Sequence, residues 1–284
     1  MQTAVYIGRF EPPHDGHLRT MRAALAQHGR LLVLLGSANL ARSAKNPFTA
    51  QERAGMIRAA LAAAGEDLSR VRLRPLPDEF DPERWAAQVR RSVNTKNAVL
   101  VGFEKDSSSS YLGWFPDWQL EPSPVLAGLS ATDIRAAYFE GRAVEQVPHA
   151  TAAFLEQFRS RPLFGRLQRE YLALQALAQQ PKPSGEVRYF WQQQGHLWLS
   201  RRTGPIGHGL WELAGHYLAV GEAAPAHTRV FEAPTRSLLG QIPAYVLRGQ
   251  GEGQAVPLEL ALRRPHRFFE DHHVIVQRML AEKS

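Results

Sequence analysis

Two histidines near the start of the sequence have the spacing of a phosphate-binding group. His14 and His17 are three residues apart, and they follow Gly8 and Arg9 at the end of the apolar run Ala4–Gly8. If that run is a strand and a helix begins at the histidines, both imidazoles lie at the carboxyl end of a strand, beside a helix N-terminus that attracts anions. Residues three apart share one helix face, and Arg9 adds a charged fork of donors. These side chains are therefore predicted to bind a phosphate chain.

The hydrophobic pattern predicts the elements that position these residues. Short apolar runs alternate with longer segments whose apolar residues recur at helical spacing, which predicts a parallel sheet with crossover helices. The runs are Ala4–Gly8, Leu31–Gly36, Val71–Leu76 and Ala98–Gly102. The predicted helices start at capping boxes at Thr49–Glu52 and Ser130–Asp133, span Pro82–Val93, and occupy Thr151–Ala178 in two pieces broken at Pro162.

The segment Gln179–Gly185 is predicted to be a linker, because two prolines and a glycine prevent the preceding helix from continuing. Downstream, glycine-rich turns separate six predicted strands, and one helix follows near His272–Leu280. The strands are Glu186–Trp191, His196–Ser200, Leu210–Leu213, Tyr217–Val220, Ile242–Leu247 and Leu258–Leu262. We therefore predict an α/β domain at 1–178 and a smaller α+β domain at 186–284.

The composition excludes several classes of protein. A hydrophobic share of 44% and a charged share of 21% exclude a disordered or fibrous chain. No apolar stretch is long enough to cross a membrane, and the start lacks the features of a signal peptide, so we expect a cytoplasmic enzyme. With no cysteine, disulfides and thiol nucleophiles are excluded. The net charge of +7 suits a polyanion, but it forms no basic run, which favours a nucleotide over nucleic acid.

The segment that contains the two histidines resembles the His-x-Gly-His signature of the nucleotidyltransferase superfamily. Its sequence is Gly8-Arg9-Phe10-Glu11-Pro12-Pro13-His14-Asp15-Gly16-His17. The later stretch Ser130-Ala131-Thr132-Asp133-Ile134-Arg135 resembles the second superfamily element, Ser-x-Thr-x-x-Arg at a helix start. The resemblance implies a Rossmann-like nucleotidyltransferase fold and a catalytic role for His14, His17 and Arg135. It also implies that ATP is held by Gly8, Arg9, Phe10, Gly102, Ser130 and Thr132.

Within that superfamily, the chain resembles the archaeal-like nicotinamide mononucleotide (NMN) adenylyltransferases. Gly36–Asn39 and Lys45–Arg53 are similar to the loop that encloses the ribotide in that family, and Trp85 corresponds to the aromatic residue that stacks on nicotinamide. A cationic pyridinium over an indole face is worth about 0.5–2 kcal/mol. The implied NMN-binding residues are Ser37, Lys45, Asn46, Phe48 and Trp85.

Two basic residues of this loop allow more than one interpretation. Lys45 stands where the family has arginine, so the charge is kept but the two-pronged contact with a phosphate is lost. Because of this loss at Lys45, looser binding of the substrate phosphate is expected. From residue type alone, Lys45 and Arg53 are as compatible with solvated surface charges as with phosphate ligands.

The resemblance extends to bifunctional proteins that join this transferase to a C-terminal Nudix domain. It is carried by Gly102–Ser108, Phe115–Trp118, Arg236–Gly240 and Phe269–His272. A Nudix hydrolase needs carboxylates one helical turn apart to hold Mg²⁺. Here no acidic residue between the linker and Glu270 has an acidic partner three or four residues away, and Pro225 interrupts the short interval where that helix belongs. We therefore predict a degenerate, Nudix-like domain without hydrolase activity.

The expected reaction joins ATP and NMN to give NAD and pyrophosphate. Mg²⁺ is expected to arrive with ATP, because Asp15 is the only acidic candidate inside the first histidine motif, and no protein metal site is predicted. Adjacent side chains point apart, so His272 and His273 are not expected to share a metal. The expected partners are ATP and NMN, without nucleic acid or membrane, and a homo-oligomer stays open. The alternatives are another small phosphorylated acceptor and a non-catalytic nucleotide sensor.

Overall fold

The computed structural model describes residues 2–79, 81–95, 97–102, 113–123, 128–232 and 242–282. The chain divides into two compact units, one formed by residues 1–38 and 44–168 and the other by residues 39–43 and 169–284. The predicted domain limits and the linker at 179–185 stay predictions. The resemblance at 103–108 and at 236–240 lies outside the described residues.

The first unit is built on a parallel sheet of five strands, as the alternating pattern predicts. The strands are β1 (Thr3–Gly8), β2 (Arg30–Leu35), β3 (Val71–Pro75), β4 (Ala98–Gly102) and β5 (Gln119–Pro122). Their order is β3-β2-β1-β4-β5, so β1 lies in the centre and pairs in parallel with β2 and β4. The edge strand β5 was not predicted, because its four residues are polar or exposed and carry no apolar run.

Helices of the first unit cover both faces of this sheet. They are α1 (Asp15–Gln27), α2 (Ala50–Ala63), α3 (Pro82–Val93), α4 (Ala131–Phe139), α5 (His149–Arg159) and α6 (Pro162–Leu177), and the last of these continues into the second unit. One apolar cluster includes Met21, Leu25, Ile57 and Leu61 from α1 and α2, and another includes Val89 from α3. Burial on both faces explains why the central strands are apolar throughout. Of the residues that can be described, none lies in a helix long and apolar enough to span a membrane.

The helix starts agree with the sequence, with one correction. Thr49 and Glu52 form the predicted reciprocal capping box of α2. Ser130 also caps its helix, but its hydroxyl accepts the backbone N–H of Thr132, not the N–H of Asp133 that a capping box uses. The predicted capping box at Ser130–Asp133 is therefore a simpler cap, which leaves the Asp133 side chain exposed.

The second unit consists of short strands in small sheets. Its strands are β6 (Gly185–Phe190), β7 (Gln192–Gln193), β8 (His196–Arg201), β9 (Trp211–Glu212), β10 (Gly215–Leu218), β11 (Arg229–Phe231), β12 (Ala244–Arg248) and β13 (Gln254–Pro257). One sheet has the order β10-β6-β12-β11 and another the order β13-β8-β7, with β9 paired to β8. Its helices after β13 are α7 (Leu258–Leu262) and α8 (His272–Ala281), and α8 was predicted.

The predicted strand Leu258–Leu262 is wrong, because this segment forms the helix α7. Its leucines alternate as in a strand, but leucine, glutamate and alanine are good helix formers and Pro257 ends the preceding strand β13. In the helix Ala261 is fully buried, whereas Leu260 is 37% exposed. Tertiary packing of Ala261 therefore overrides the period-two pattern.

The interval expected to hold a Nudix helix is described between β10 and β11. Residues 219–228 form turns and irregular backbone, and this interval contains no helix. Leu218 and Arg229 are thus joined by a short connection in which Pro225 lies.

Candidate active site

His14 and His17 cap the N-terminus of α1 for each other. The backbone N–H of His17 donates to Nδ1 of His14 over 3.4 Å, and the N–H of His14 donates to Nδ1 of His17 over 3.2 Å. The two rings are stacked with centroids 3.5 Å apart. Because each Nδ1 accepts a hydrogen bond, each neutral imidazole carries its proton on Nε2. Both Nε2–H groups are therefore the donors that a phosphate would meet.

The chain reaches these histidines through a tight turn after β1. Phe10 has a left-handed backbone (φ 55°), and a side chain at Gly8 would lie 2.8 Å from the Phe10 ring, so glycine is required there. The Phe10 ring is 2% exposed and packs edge-on against His17, with centroids 4.8 Å apart. The predicted contact of Phe10 with ATP would therefore use its backbone, while its ring supports His17.

A buried ion pair that sequence reasoning missed lies beneath this turn. Glu11 and Arg53 are each 1% exposed, and Arg53 Nε lies 3.1 Å from Glu11 Oε1. Burial raises the pKa of Glu11 to about 7, although the nearby Arg53 acts in the opposite direction, and burial lowers the pKa of Arg53. Arg53 is thus not a solvated surface charge. The available signal was its position on the apolar face of α2, three and four residues before Met56 and Ile57.

Arg135 brings the second motif to the first. Its Nη1 donates to the carbonyl oxygen of Glu11 over 2.6 Å and to that of Ala131 over 3.1 Å, and its Nη2 donates to Thr132 Oγ1 over 3.3 Å. Burial, with the positive charge of Arg9 as a smaller cause, lowers the pKa of Arg135 to about 10, so its guanidinium stays protonated at neutral pH. The α4 N-terminus with Ser130 is therefore fixed beside the turn that leads to His14.

The end of β2 is joined to the segment after β3 by Ser37 and Asp78. The Ser37 N–H donates to Asp78 Oδ1 over 3.0 Å, and its hydroxyl donates to Oδ2 over 2.9 Å. Burial raises the pKa of Asp78, while the positive charges of Arg9 and Lys45 lower it. The structure thus places the predicted residues Ser37, Arg9 and Lys45 around one carboxylate.

The predicted loop at 45–48 has one end beside the site and the other in the core. Asn46 Oδ1 accepts a hydrogen bond from Arg9 Nη1 at 3.5 Å. The Phe48 ring is 2% exposed and packs edge-on against Phe154 and Phe158 of α5. Phe48 therefore anchors the loop, and a contact between its side chain and NMN finds no support in this packing.

Trp85 and Gly102 are the last two of the predicted site residues. Trp85 is partly buried against the core of the first unit, and its ring meets that of Trp114 edge-to-face, with centroids 5.6 Å apart. Trp114 is itself 37% exposed. Gly102 ends β4, and its carbonyl oxygen accepts the N–H of Ser123 over 2.9 Å. Trp85 thus packs on the core and keeps part of its surface exposed.

The arrangement provides donors and positive charge around a phosphate chain without a covalent nucleophile. Gly8 with Arg9, Gly36 with Ser37, and Gly102 lie at the carboxyl ends of three neighbouring parallel strands, where open α/β sheets bind ligands. The histidine cap and Arg135 complete this edge. Such a site suits the transfer of a phosphorus-centred group by orientation and charge neutralisation.

Within the described ranges, no group of three or more His, Asp or Glu side chains could hold a metal ion. His272 Nδ1 accepts the N–H of Leu213 over 2.9 Å, whereas His273 Nε2 lies 3.0 Å from the carbonyl oxygen of Leu262. The two neighbouring imidazoles therefore engage different partners, as expected for adjacent residues.

Known proteins resemble the chain in both sequence and structure. The family Cytidylyltransferase-like matches residues 5–137. The nicotinamide/nicotinic acid mononucleotide adenylyltransferase of Acinetobacter baylyi is 39% identical over 176 residues, which cover 60% of this chain and 93% of that protein. A nicotinamide-nucleotide adenylyltransferase of Thermococcus onnurineus is 32% identical over 158 residues, which cover 55% of this chain and 82% of that protein.

A solved structure matches the whole chain. The bifunctional NMN adenylyltransferase/ADP ribose pyrophosphatase of Francisella tularensis has a TM-score of 0.87 at 26% identity, and the match covers 99% of each chain. This confirms the predicted Rossmann-like nucleotidyltransferase fold and the resemblance to a fusion with a Nudix-like domain. Because nearly the full length of the A. baylyi protein is matched at 39% identity, this chain belongs to the nicotinamide mononucleotide adenylyltransferase family.

Proposed function

We propose that the first unit transfers the adenylyl group of ATP to NMN, giving NAD and pyrophosphate. The observation that carries the proposal is the convergence of two separated motifs, since Arg135 donates to the carbonyl oxygen of Glu11, three residues before His14. Two imidazole donors and a guanidinium cation beside one strand edge support the proposal. The names of the family relatives support NMN as the acceptor and an adenylyl group as the group that is transferred.

The chemistry needs no residue to form a bond with the substrate. An oxygen of the NMN 5′-phosphate attacks the α-phosphorus of ATP, and the bond from that phosphorus to the oxygen bridging to the β-phosphate breaks as pyrophosphate leaves. Nε2–H of His14 and of His17 would donate to the phosphate oxygens whose charge grows in the transition state. Arg135 and Arg9 would hold the leaving phosphates, and Ser130, Thr132, Gly8 and Gly102 would contribute backbone close to them.

The acceptor would lie over the exposed part of Trp85. The nicotinamide ring of NMN is a pyridinium cation, which an indole face attracts. Lys45 and Ser37, which surround Asp78 with Arg9, would hold the ribotide phosphate and hydroxyl groups. Asn46 supports this group by accepting from Arg9.

Mg²⁺ would come with ATP. Asp15 lies between the two histidines, and burial raises its pKa. A single partly buried carboxylate fits an auxiliary contact with the ion better than a dedicated metal cage. Bound to ATP, Mg²⁺ would neutralise phosphate charge. We propose the cytoplasm as the place of the reaction, because ATP is available there.

A coupled assay for NAD tests the proposal directly. The purified chain with ATP, NMN and Mg²⁺ is expected to form NAD, and His17→Ala is expected to lower kcat about 100-fold or more, as the loss of a transition-state donor does. His149→Ala, at an exposed helix start in the same unit, is the matched control and should retain the rate. No NAD from the unaltered chain would reject the proposal.

An acceptor screen with the same assay components decides the substrate. Release of pyrophosphate is measured with NMN, nicotinic acid mononucleotide, phosphopantetheine and a phosphorylated polyol. NMN is expected to give the highest kcat/KM. Turnover only with phosphopantetheine or the polyol would support an adenylyltransferase for a different acceptor, and ATP binding without turnover would support a nucleotide sensor.

We infer that the second unit does not hydrolyse the diphosphate bond of ADP-ribose. A polar cavity of about 250 Å³ is lined by Arg188, Arg202, Glu212, His216 and Tyr217, among others. Its carboxylate is already paired, because Glu212 lies 2.6 Å from Arg202 and 3.2 Å from Arg188. Two guanidinium groups beside one carboxylate disfavour a divalent cation there.

The test is release of AMP from ADP-ribose by the full chain with Mg²⁺ or Mn²⁺. Release is expected to equal that of a reaction without protein. AMP release at a rate comparable to NAD formation would overturn the inference.

A further inference from the structure

The buried pair Glu11–Arg53 lies beneath the candidate active site and has none of the roles assigned above. Both side chains are 1% exposed. Stability alone explains such a pair poorly, because removing two charges from water costs about as much as their attraction returns, and apolar residues of similar volume often serve as well. The contacts of the pair give a more specific reason for its presence.

Those contacts are with backbone that frames the site. Arg53 Nη1 donates to the carbonyl oxygen of Gly36 over 2.8 Å and also to that of Arg9. Glu11 Oε2 accepts the N–H of Phe48 over 3.0 Å. Two side chains thus join the backbone that follows β1, the backbone that follows β2, and the loop that precedes α2.

Glu11 also connects the pair to the second motif, through the bond from Arg135 to its carbonyl oxygen. The charged groups that act on Glu11 are Arg53, Arg135 and Arg9, and Asp78 and Glu52 act in addition on Arg53. A displacement of Glu11 would therefore move the contact with Arg135 and the start of α1 together.

We propose that Glu11 and Arg53 are positioning residues for adenylyl transfer, which hold Arg9 and the histidine cap at a fixed distance from Arg135. The proposal rests on the proposed function for its reaction. Neither side chain needs to touch ATP, because the pair acts through the carbonyl oxygens of Arg9, Gly36 and the turn after β1. Misplacement of reacting groups by about 1 Å can cost about 100-fold in rate.

The experiment compares Glu11→Gln, Arg53→Gln, the double variant and Arg53→Lys at about pH 8, above the pKa of Glu11. Each single Gln variant is expected to lower kcat at least about tenfold, with the KM for NMN changed less than about threefold. The double variant should lose no more than the worse single variant, since the residues act as a unit. Arg53→Lys keeps the charge but not the fork, so an intermediate rate is expected.

Ile57→Val is the matched control for simple destabilisation. Ile57 is equally buried on the same helix, but it packs in the apolar cluster and loses only one methyl group in this variant. It should keep kcat near that of the unaltered chain. If Ile57→Val lowers kcat as much as Glu11→Gln, or if the losses of the two Gln variants multiply in the double variant, the positioning role is wrong.

Titration with ATP separates this proposal from the proposed function. If the unaltered chain binds ATP but forms no NAD, adenylyl transfer to NMN fails, and the positioning role is then judged on the dissociation constant for ATP. That constant should rise at least about fivefold in Glu11→Gln and Arg53→Gln and stay unchanged in Ile57→Val. Equal ATP affinity in all four proteins, with equal kcat where NAD is formed, would overturn the proposal.

Discussion

The histidine pair at the start of α1 uses different ring nitrogens for two tasks. Nδ1 of each ring accepts a backbone N–H, so His14 replaces the usual serine or threonine at the N-cap and His17 the usual glutamate or glutamine three residues later. That cap fixes the protonated nitrogen as Nε2, which is the nitrogen a phosphate would contact. The same two side chains thus stabilise the start of α1 and set which ring nitrogen can donate to a phosphate.

Substitution of His14 separates these two tasks. Asparagine can cap a helix but lacks the Nε2 donor, so His14→Asn is expected to keep most of the stability and lose kcat. His14→Ala should lose both, with a cap worth about 0.5–2 kcal/mol. Thermal unfolding and NAD formation are measured on the same preparations. A normal kcat in His14→Asn would show that the imidazole only caps.

Trp85 tests the acceptor side at the same scale. Trp85→Leu removes the aromatic face, so the KM for NMN is expected to rise about two- to thirtyfold, which corresponds to a cation–π contact of about 0.5–2 kcal/mol. The KM for NMN of Trp85→Phe should lie between those of the unaltered chain and Trp85→Leu. In both variants the KM for ATP should stay within about twofold of that of the unaltered chain. An unchanged KM for NMN in Trp85→Leu would leave Trp85 as a core residue only.

Glu11 predicts how stability depends on pH. Its pKa is raised from 4.5 to about 7 in the folded protein, so between these values the folded state binds its proton more tightly than the unfolded state does. Its contribution to stability is therefore fully present below about pH 4.5 and is lost as pH rises towards 7. Urea unfolding from pH 5 to pH 8 should show a smaller decline in Glu11→Gln than in the unaltered chain. Parallel curves would contradict the raised pKa.

At the scale of elements, helix N-termini and strand ends supply the geometry. The carboxyl ends of β1, β2 and β4 lie side by side because these strands are parallel and adjacent. Helices α1 and α4 start near these strand ends, so their N-terminal N–H groups add positive potential where a phosphate chain would lie. The order of the strands, more than any single residue, makes the two motifs meet.

The short helix α7 offers a test of element assignment. Leu260 is 37% exposed and Ala261 is fully buried, so Leu260→Lys should change the free energy of unfolding by less than about 0.5 kcal/mol, whereas Ala261→Lys should destabilise strongly. A strand would give the opposite result for Leu260, whose side chain would then share a buried face with Leu258. Urea unfolding of both variants distinguishes these possibilities.

At the scale of the whole molecule, the charge of +7 is partly explained by the site. Arg9 and Arg135 lie around the histidine turn, where ATP would neutralise them, whereas the charge of Arg53 is already paired with Glu11. A ligand that binds only the folded state stabilises it by mass action. The net charge is therefore consistent with nucleotide binding.

Thermal unfolding with ATP measures this linkage. At an ATP concentration about 100 times its dissociation constant, the folded chain should gain about 2.7 kcal/mol. At the same ATP concentration Arg135→Lys should gain less, because the fork that spans Glu11 and Thr132 is lost. An equal increase in Tm for both proteins would exclude Arg135 from ATP binding.

Much of the fold follows from local pattern. Four apolar runs predict strands β1 to β4 of the parallel sheet, and the helix starts at Thr49 and Ser130 and the break at Pro162 follow from residue type. Edge strand β5 and helix α7 could not be predicted, because one lacks an apolar run and the other depends on burial of Ala261. Propensity and periodicity describe neighbours in sequence, whereas these outcomes depend on neighbours in space.

The sequence by itself determined the candidate residues for the chemistry, because the spacing of His14 and His17 and the motif ending at Arg135 are local properties. Only the tertiary structure decided that the histidines cap each other and that Arg135 reaches Glu11 across 124 positions of the chain. It also decided that Arg53 is buried against Glu11. The physical reason is that burial and charge pairing depend on which strands become neighbours, and a linear pattern of residues does not contain that information.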